Sequence, residues 1–196
     1  EVVKTPGVRK VLTTSDIEEA NKQGEVGIML SFGGGEFIAS SVETLRMYYR
    51  LGLRMLTLTW DERNLLADGA AFSASRGGLT PLGVKVLEEA GRLGVLIDVS
   101  HLSEAGFWDV VDLAEVPFVA SHSNCHALFA HPRNLTDGQL AAIGQAGGLV
   151  GISLNPEYLT GSEEPPTLSQ VVDHIMHAVE IAGEEHVGIG TDFDSF

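Results

Sequence analysis

Six nearly continuous apolar runs, each followed by a helix-like segment, constrain this chain more than any other feature. They are VGIML (26–30), RMLTLT (54–59), GVLIDVS (94–100), PFVASHS (117–123), GLVGISL (148–154) and HVGIGTDF (186–193). A half-exposed antiparallel strand alternates apolar and polar residues. A continuous run belongs to a strand covered on both faces, as in a parallel sheet between helices. The helical segments are punctuated accordingly. Ser15 with Glu18, and Ser40 with Glu43, have capping-box spacing, and Gly24 and Gly52 follow as stops. Thr80 precedes Pro81, Ser103 can cap the segment from Glu104 to Leu113, and Thr136 with Gln139 open another. The segment from Leu168 to Ala182 puts Leu168, Val171, Val172, Ile175, Val179 and Ala182 on one predicted apolar stripe.

Repeated βα units predict an α/β fold, either a barrel or a doubly wound sheet. No G-x-G-x-x-G motif follows a strand and opens a helix, which weighs against dinucleotide binding. The glycine run FGGGEF (32–37) lacks the P-loop lysine and reads as a tight βα turn. A complete (β/α)8 TIM-like barrel needs eight strands. Six units predict a single domain over 1–196 that spans about strands 3 to 8, without the first two strands and the closing helix. The strands beginning near Val26 and His186 would each keep an open edge, so the stretch made alone is expected to self-associate.

The net charge of −15 repels phosphate backbones, which excludes nucleic acid as an expected partner. No apolar run approaches membrane-spanning length. The one cysteine, Cys125, rules out an internal disulfide framework and leaves the compartment open, with the cytoplasm favoured. The chain begins at Glu1, so an upstream segment could be missing.

In parallel α/β folds the carboxyl ends of the strands face the active site, and His101, His122 and Asp192 fall at such ends. Two imidazoles and a carboxylate suit a hydrolytic zinc site, the carboxylate handling protons beside the metal. Arg133 leaves the His122 strand on the same side and can grip a carboxylate with both arms of its guanidinium. Of the other histidines, His174 and His177 fall off the predicted stripe and read as solvated. His126 and His131 lie in the loop after His122, where either could be merely exposed, and His186 begins a strand at the wrong end. Cys125 reads as a small buried hydrophobe.

GLTPLGVKVLEEAGRLGVLIDVSHLS, PFVASHSNCHALFAHPRNLTD, VGIGTDFDSF and LRMYYRLGLRMLTLTWDERNLLADG together resemble the membrane (renal-type) dipeptidase family of zinc peptidases. The likeness runs from about Ser15 to Phe196. It implies a (β/α)8 barrel with a centre of one or two Zn2+ that hydrolyses the amide bond of a small dipeptide-like substrate. On that likeness His101 and His122 are metal ligands and Asp192 is the catalytic carboxylate. Arg133 and Tyr158 bind substrate. Gly33 stands where the family carries a metal-bridging glutamate, with Glu36 three residues on, and Trp60 stands where it carries a histidine. These departures keep two alternatives open: an amidohydrolase for a lactam, lactone or cyclic amide, and a non-catalytic descendant. A homodimer is left open.

Overall fold

The six-unit rhythm folds into one six-stranded parallel sheet whose strand order follows the chain. This is a computed structural model, and it describes residues 5–38, 41–71, 77–162 and 165–193. In chain order the elements are β1 (Val8–Lys10), α1 (Thr14–Gln23), β2 (Val26–Ile28), β3 (Leu30–Phe32), α2 (Val42–Leu51), β4 (Leu53–Thr57), α3 (Pro81–Leu93) and β5 (Leu96–Asp98). They continue with α4 (Glu104–Leu113), β6 (Val119–Ser123), α5 (Asp137–Gln145), β7 (Leu149–Ile152), α6 (Pro156–Leu159), α7 (Leu168–Ala182) and β8 (Val187–Ile189).

Strands β3 to β8 lie side by side in sequence order, each parallel to the next. A doubly wound sheet reverses its strand order at a switch point. Here there is no reversal among the described residues, so this is a barrel wall. Within the described residues β3 and β8 each pair on one side only, and they expose Leu30 and Ile189.

The continuous apolar runs do what their composition requires. Leu56 pairs across to Ile97 and Ala120 to Val150, and all four side chains are buried. Phe107 of α4 packs edge-on against Phe118, which immediately precedes β6, and both are fully buried. Burial of each such aromatic stabilises the fold by about 1.5–3 kcal/mol. Thr80, Ser103, Thr136 and Thr167 each accept a hydrogen bond from a first-turn amide, so helix starts follow the cap chemistry.

Local details differ from the sequence expectations. The run 26–30 is not one strand: β2 pairs with a short β1 in a separate two-stranded sheet, and the chain changes partner at Met29. The capping box of α1 is Thr13 with Asp16, two residues upstream of Ser15 and Glu18, because Thr13 takes the extended backbone a cap needs. Ser41 caps α2, and Ser40 lies outside the described residues. Helix α7 is rotated from the expected stripe. Its buried residues are His174 and Ala178, while Leu168 is largely exposed.

Candidate active site

Two consecutive units deliver their histidines to one point. His101 lies three residues beyond β5 and His122 lies inside β6, and their Nε2 atoms are 2.9 Å apart. His101 reaches this point through a left-handed backbone, with φ of 60°. Asp192, beyond β8, has φ of 58°, and these are the two non-glycine residues with positive φ among the described residues. Backbone in this region costs about 1–3 kcal/mol per residue and persists where surrounding structure imposes it. For His101 the imposing contacts are visible. Its carbonyl accepts the amide of Ala70 at 2.7 Å and the hydroxyl of Thr59 at 3.3 Å, tying the segment after β4 to the end of β5.

The other ring nitrogens fix the tautomers. Nδ1 of His101 donates to Asp61 Oδ1 at 2.7 Å. A carboxylate only accepts, so that nitrogen carries the proton. Nδ1 of His122 is 2.7 Å from Ser121 Oγ, which itself donates to Asp98 Oδ2 at 2.6 Å. With its hydroxyl proton committed to Asp98, Ser121 accepts from His122. Both neutral rings therefore hold Nδ1–H, and both Nε2 atoms meet at 2.9 Å without a proton between them. Two bare nitrogens at 2.9 Å repel unless a cation takes up both lone pairs, and a metal bonding each at ~2.1 Å would lie to one side of the line joining them. A shared proton would require one ring to be charged. Burial lowers the pKa of His122, Asp98 raises it, and the charges of Arg133 and His101 lower it again; the net shift is downward. A metal cation is the group this donor set fits, and in metal sites the second histidine nitrogen usually donates to a carboxylate or similar acceptor.

Asp61, Asp98 and Ser121 are the residues that sequence reasoning missed. Asp98 is fully buried and accepts from Ser100 N–H, Ser121 N–H, Thr57 Oγ1 and Ser121 Oγ at 2.6 to 3.0 Å. It thus stitches β5 to both neighbours, where the β5–β6 ladder itself is reduced to Asp98 opposite Val119. Burial alone would raise its carboxyl, but these hydrogen bonds and His122 hold it below the usual range. Burial also pushes Asp61 up, and it is outweighed by the hydrogen bond from His101 and by the charge of Arg133. The signal that could have found Asp98 is a carboxylate inside an apolar run, LIDV.

Arg133 is buried, not a surface cation. Its Nη1 and Nη2 donate to the carbonyls of Ser100 and His122 over long distances of 3.3 and 3.4 Å. Nε lies 3.4 Å from Asp61 Oδ1 yet lacks hydrogen-bonding geometry to any described residue. The guanidinium carbon sits 5.1 Å from the ring centre of Tyr158, a cation–π contact. Burial pulls the Arg133 guanidinium below its usual range, against the opposing charges of Asp61, Tyr158, Asp98 and Asp192. The structure thus brings His101, His122, Arg133 and Tyr158 into one neighbourhood, and Asp192 follows β8 at the same carboxyl end of the sheet.

The remaining histidines separate. His174 is buried, not solvated: Nδ1 accepts the amide of Cys125 at 3.0 Å and Nε2 donates to Leu159 O at 3.2 Å. His177 is half-buried against Asp137 at 2.8 Å. His131 is half-buried between Phe129 and Tyr158, His126 is exposed, and His186 holds Gly148 O at 2.8 Å. Cys125 is fully buried, its thiol pushed up to about 12 by burial and by the charge of Asp137.

Gly33 and Trp60 adjoin. A Cβ built on Gly33 would meet the indole at 3.4 Å, and the indole stacks on His101 with ring centres 4.1 Å apart. Glu36 is exposed and accepts from Asn64 at 3.1 Å. Among the described residues no group of three or more His, Cys, Asp or Glu side chains is poised around one metal position, and no helix is long and apolar enough to cross a membrane.

Comparison with known proteins gives these features a family. The family model "Membrane dipeptidase (Peptidase family M19)" matches residues 2–196. The dipeptidase verJ of Clonostachys rogersoniana is 37% identical over 183 residues, covering 93% of this chain and 47% of that protein. An uncharacterized protein in the pqqA 5′ region of Klebsiella pneumoniae is 35% identical, covering 95% of this chain and 72% of its own. A metallo peptidase from Rhodobacter sphaeroides, solved with a phosphinate mimic of the dipeptide L-Ala-D-Ala, superposes with a TM-score of 0.87 at 31% identity. That match covers 96% of this chain and 56% of the solved one, so the chain spans about half the length of several relatives.

Proposed function

The chain belongs to the membrane dipeptidase family, and from that premise we propose that it carries the zinc-binding and substrate-binding half of a metallo-dipeptidase. The observation that carries the proposal is the pair of unprotonated Nε2 atoms, 2.9 Å apart, with both Nδ1 protons committed elsewhere. Neutral imidazole is a preferred zinc ligand. His101 and His122 would hold the metal; Asp192, water or parts of the protein outside the described residues would supply its other ligands. When bound, the zinc supplies Lewis acidity, lowering the pKa of a water and polarising a carbonyl.

The chain's own residues do the rest. Asp61, and Asp98 through Ser121, keep both rings in the tautomer that offers Nε2. Arg133 binds the terminal carboxylate of the substrate. Its orphaned Nε and two long hydrogen bonds leave donors to give, and Tyr158 backs the guanidinium plane. Fixing the terminus beside the histidines limits the substrate to a short peptide and places its amide for attack. Asp192 takes the proton of the attacking water and passes it to the leaving amine nitrogen. The structure of a relative with a dipeptide mimic supports this substrate class over a lactam or lactone.

The test is turnover by zinc-loaded protein of Ala-Ala against the same dipeptide amidated at its C-terminus, and against a lactone. The expected result is hydrolysis of the free dipeptide, with loss of at least about tenfold on amidation, since a charged hydrogen-bonded pair is worth roughly 1.5–3 kcal/mol. Equal turnover of amide and acid would remove Arg133 from its role. Turnover of the lactone alone would change the substrate class.

A further inference from the structure

Trp60 presents an unusual surface beside the histidine pair. One face of the indole lies on His101, the planes 21° apart, while the residue as a whole remains nearly half exposed at 47%. His101 itself is 3% exposed, so on this side the indole is what the site presents to a ligand. The adjoining position is Gly33, which adds no side chain and where a Cβ would lie in van der Waals contact with the indole at 3.4 Å. Neither residue offers a side-chain lone pair, since indole only donates and glycine has nothing to offer. Glu36, the carboxylate closest in sequence to Gly33, is turned to Asn64. Among the described residues, this side of the site therefore presents a flat apolar ring with a glycine beside it.

We propose that Trp60, with Gly33 beside it, is the specificity-determining wall of the site and selects a dipeptide carrying an aromatic side chain; this deepens the metallo-dipeptidase reading and rests on it. A planar ring can stack on the indole in offset or edge-on fashion and covers its apolar area at the same time. A cationic side chain would also be attracted to an indole face. A divalent metal held by His101 and His122 would repel a cation at that face, so the aromatic side chain is the favoured occupant, and Ala-Lys reads the other outcome.

The experiment measures kcat/KM for Ala-Phe and Phe-Ala against Ala-Ala and Ala-Lys in zinc-loaded wild type, W60A and W60F. The expected wild-type preference for one of the aromatic dipeptides over Ala-Ala is about tenfold or more. It falls to within about threefold in W60A and is largely kept in W60F, as stacking plus covered area requires. A second readout needs no turnover. In a W108F background, where Trp60 is the remaining tryptophan, its fluorescence is followed in metal-free protein titrated with Ala-Phe, Phe-Ala and Gly-Gly. Quenching by an aromatic dipeptide alone supports the wall even if no dipeptide is hydrolysed, a result that would sink the catalytic reading by itself. Hydrolysis with no aromatic preference, a ratio unchanged in W60A, or a preference for Ala-Lys would overturn the wall and leave the catalytic reading standing.

Discussion

The His101–His122 pair and His174 both set a fully buried ring among hydrogen-bonding partners, yet they are opposite in kind. His174 has each ring nitrogen matched to a fixed backbone group, one donor and one acceptor, so the neutral ring is complete. In the pair, each ring has one nitrogen matched and the other meeting a second unprotonated nitrogen. The first arrangement holds the loop after β6 against α7 and stays as it is. The second carries an electrostatic cost that a cation removes. Burial and an unusual titration do not separate the two, since burial lowers the pKa of both His122 and His174. What separates them is whether the hydrogen-bond count closes inside the protein.

The sharpest way to break this contrast is to remove one ring from each setting. His122→Ala should lower zinc affinity by more than about 100-fold, since even an outer-sphere partner is worth roughly 10–100-fold. His174→Ala should keep its zinc but lose about 2–4 kcal/mol of unfolding free energy, because the Cys125 amide and Leu159 carbonyl are left buried and unpaired. Zinc content after dialysis and urea denaturation measure the two. Equal zinc loss in both variants would erase the distinction.

The outer partners give a smaller effect. Asp61→Ala should weaken zinc about 10–100-fold by freeing the His101 tautomer. Ser121→Ala should cost about tenfold, since Asp98 keeps its other three hydrogen bonds and the strands stay registered. Isothermal titration with zinc reads both. An unchanged affinity in Asp61→Ala would mean that packing, not the carboxylate, orients His101.

Acid should act on His174 with a definite sign. Burial holds its folded pKa below the ordinary value near 6.5. A depressed value means the contribution to stability is fully present above the unfolded pKa and is lost as pH falls through the folded one. Between about pH 7 and 5 the melting temperature of metal-free wild type should therefore fall, and His174→Ala should flatten that slope. His177→Ala is the smallest change expected. Its hydrogen bond to Asp137 is partly solvated, so stability should move by less than about 0.5 kcal/mol and zinc should stay bound.

The architecture was largely legible in the sequence because continuous apolar runs and cap residues are local signals. That His101, His122 and Arg133 would lie together was legible because the ends of parallel strands and the loops leaving them share one face. Two kinds of information were not. Asp61 and Asp98 act through hydrogen bonds to residues 23 to 41 positions away, which no periodicity encodes. The spacing of apolar residues leaves His174 off the predicted stripe and so on the solvated side. The helix is instead rotated so that this ring satisfies two backbone groups, a tertiary arrangement that overrides the apolar stripe.

The most direct measurement of the central claim is an anomalous difference map at the zinc edge from crystals of the protein grown with equimolar zinc. A peak within about 2.1 Å of Nε2 of both His101 and His122 is the predicted result. A peak away from the pair, with the two Nε2 atoms still facing each other at hydrogen-bonding distance, would show that a shared proton bridges them and that the pair is not a metal site.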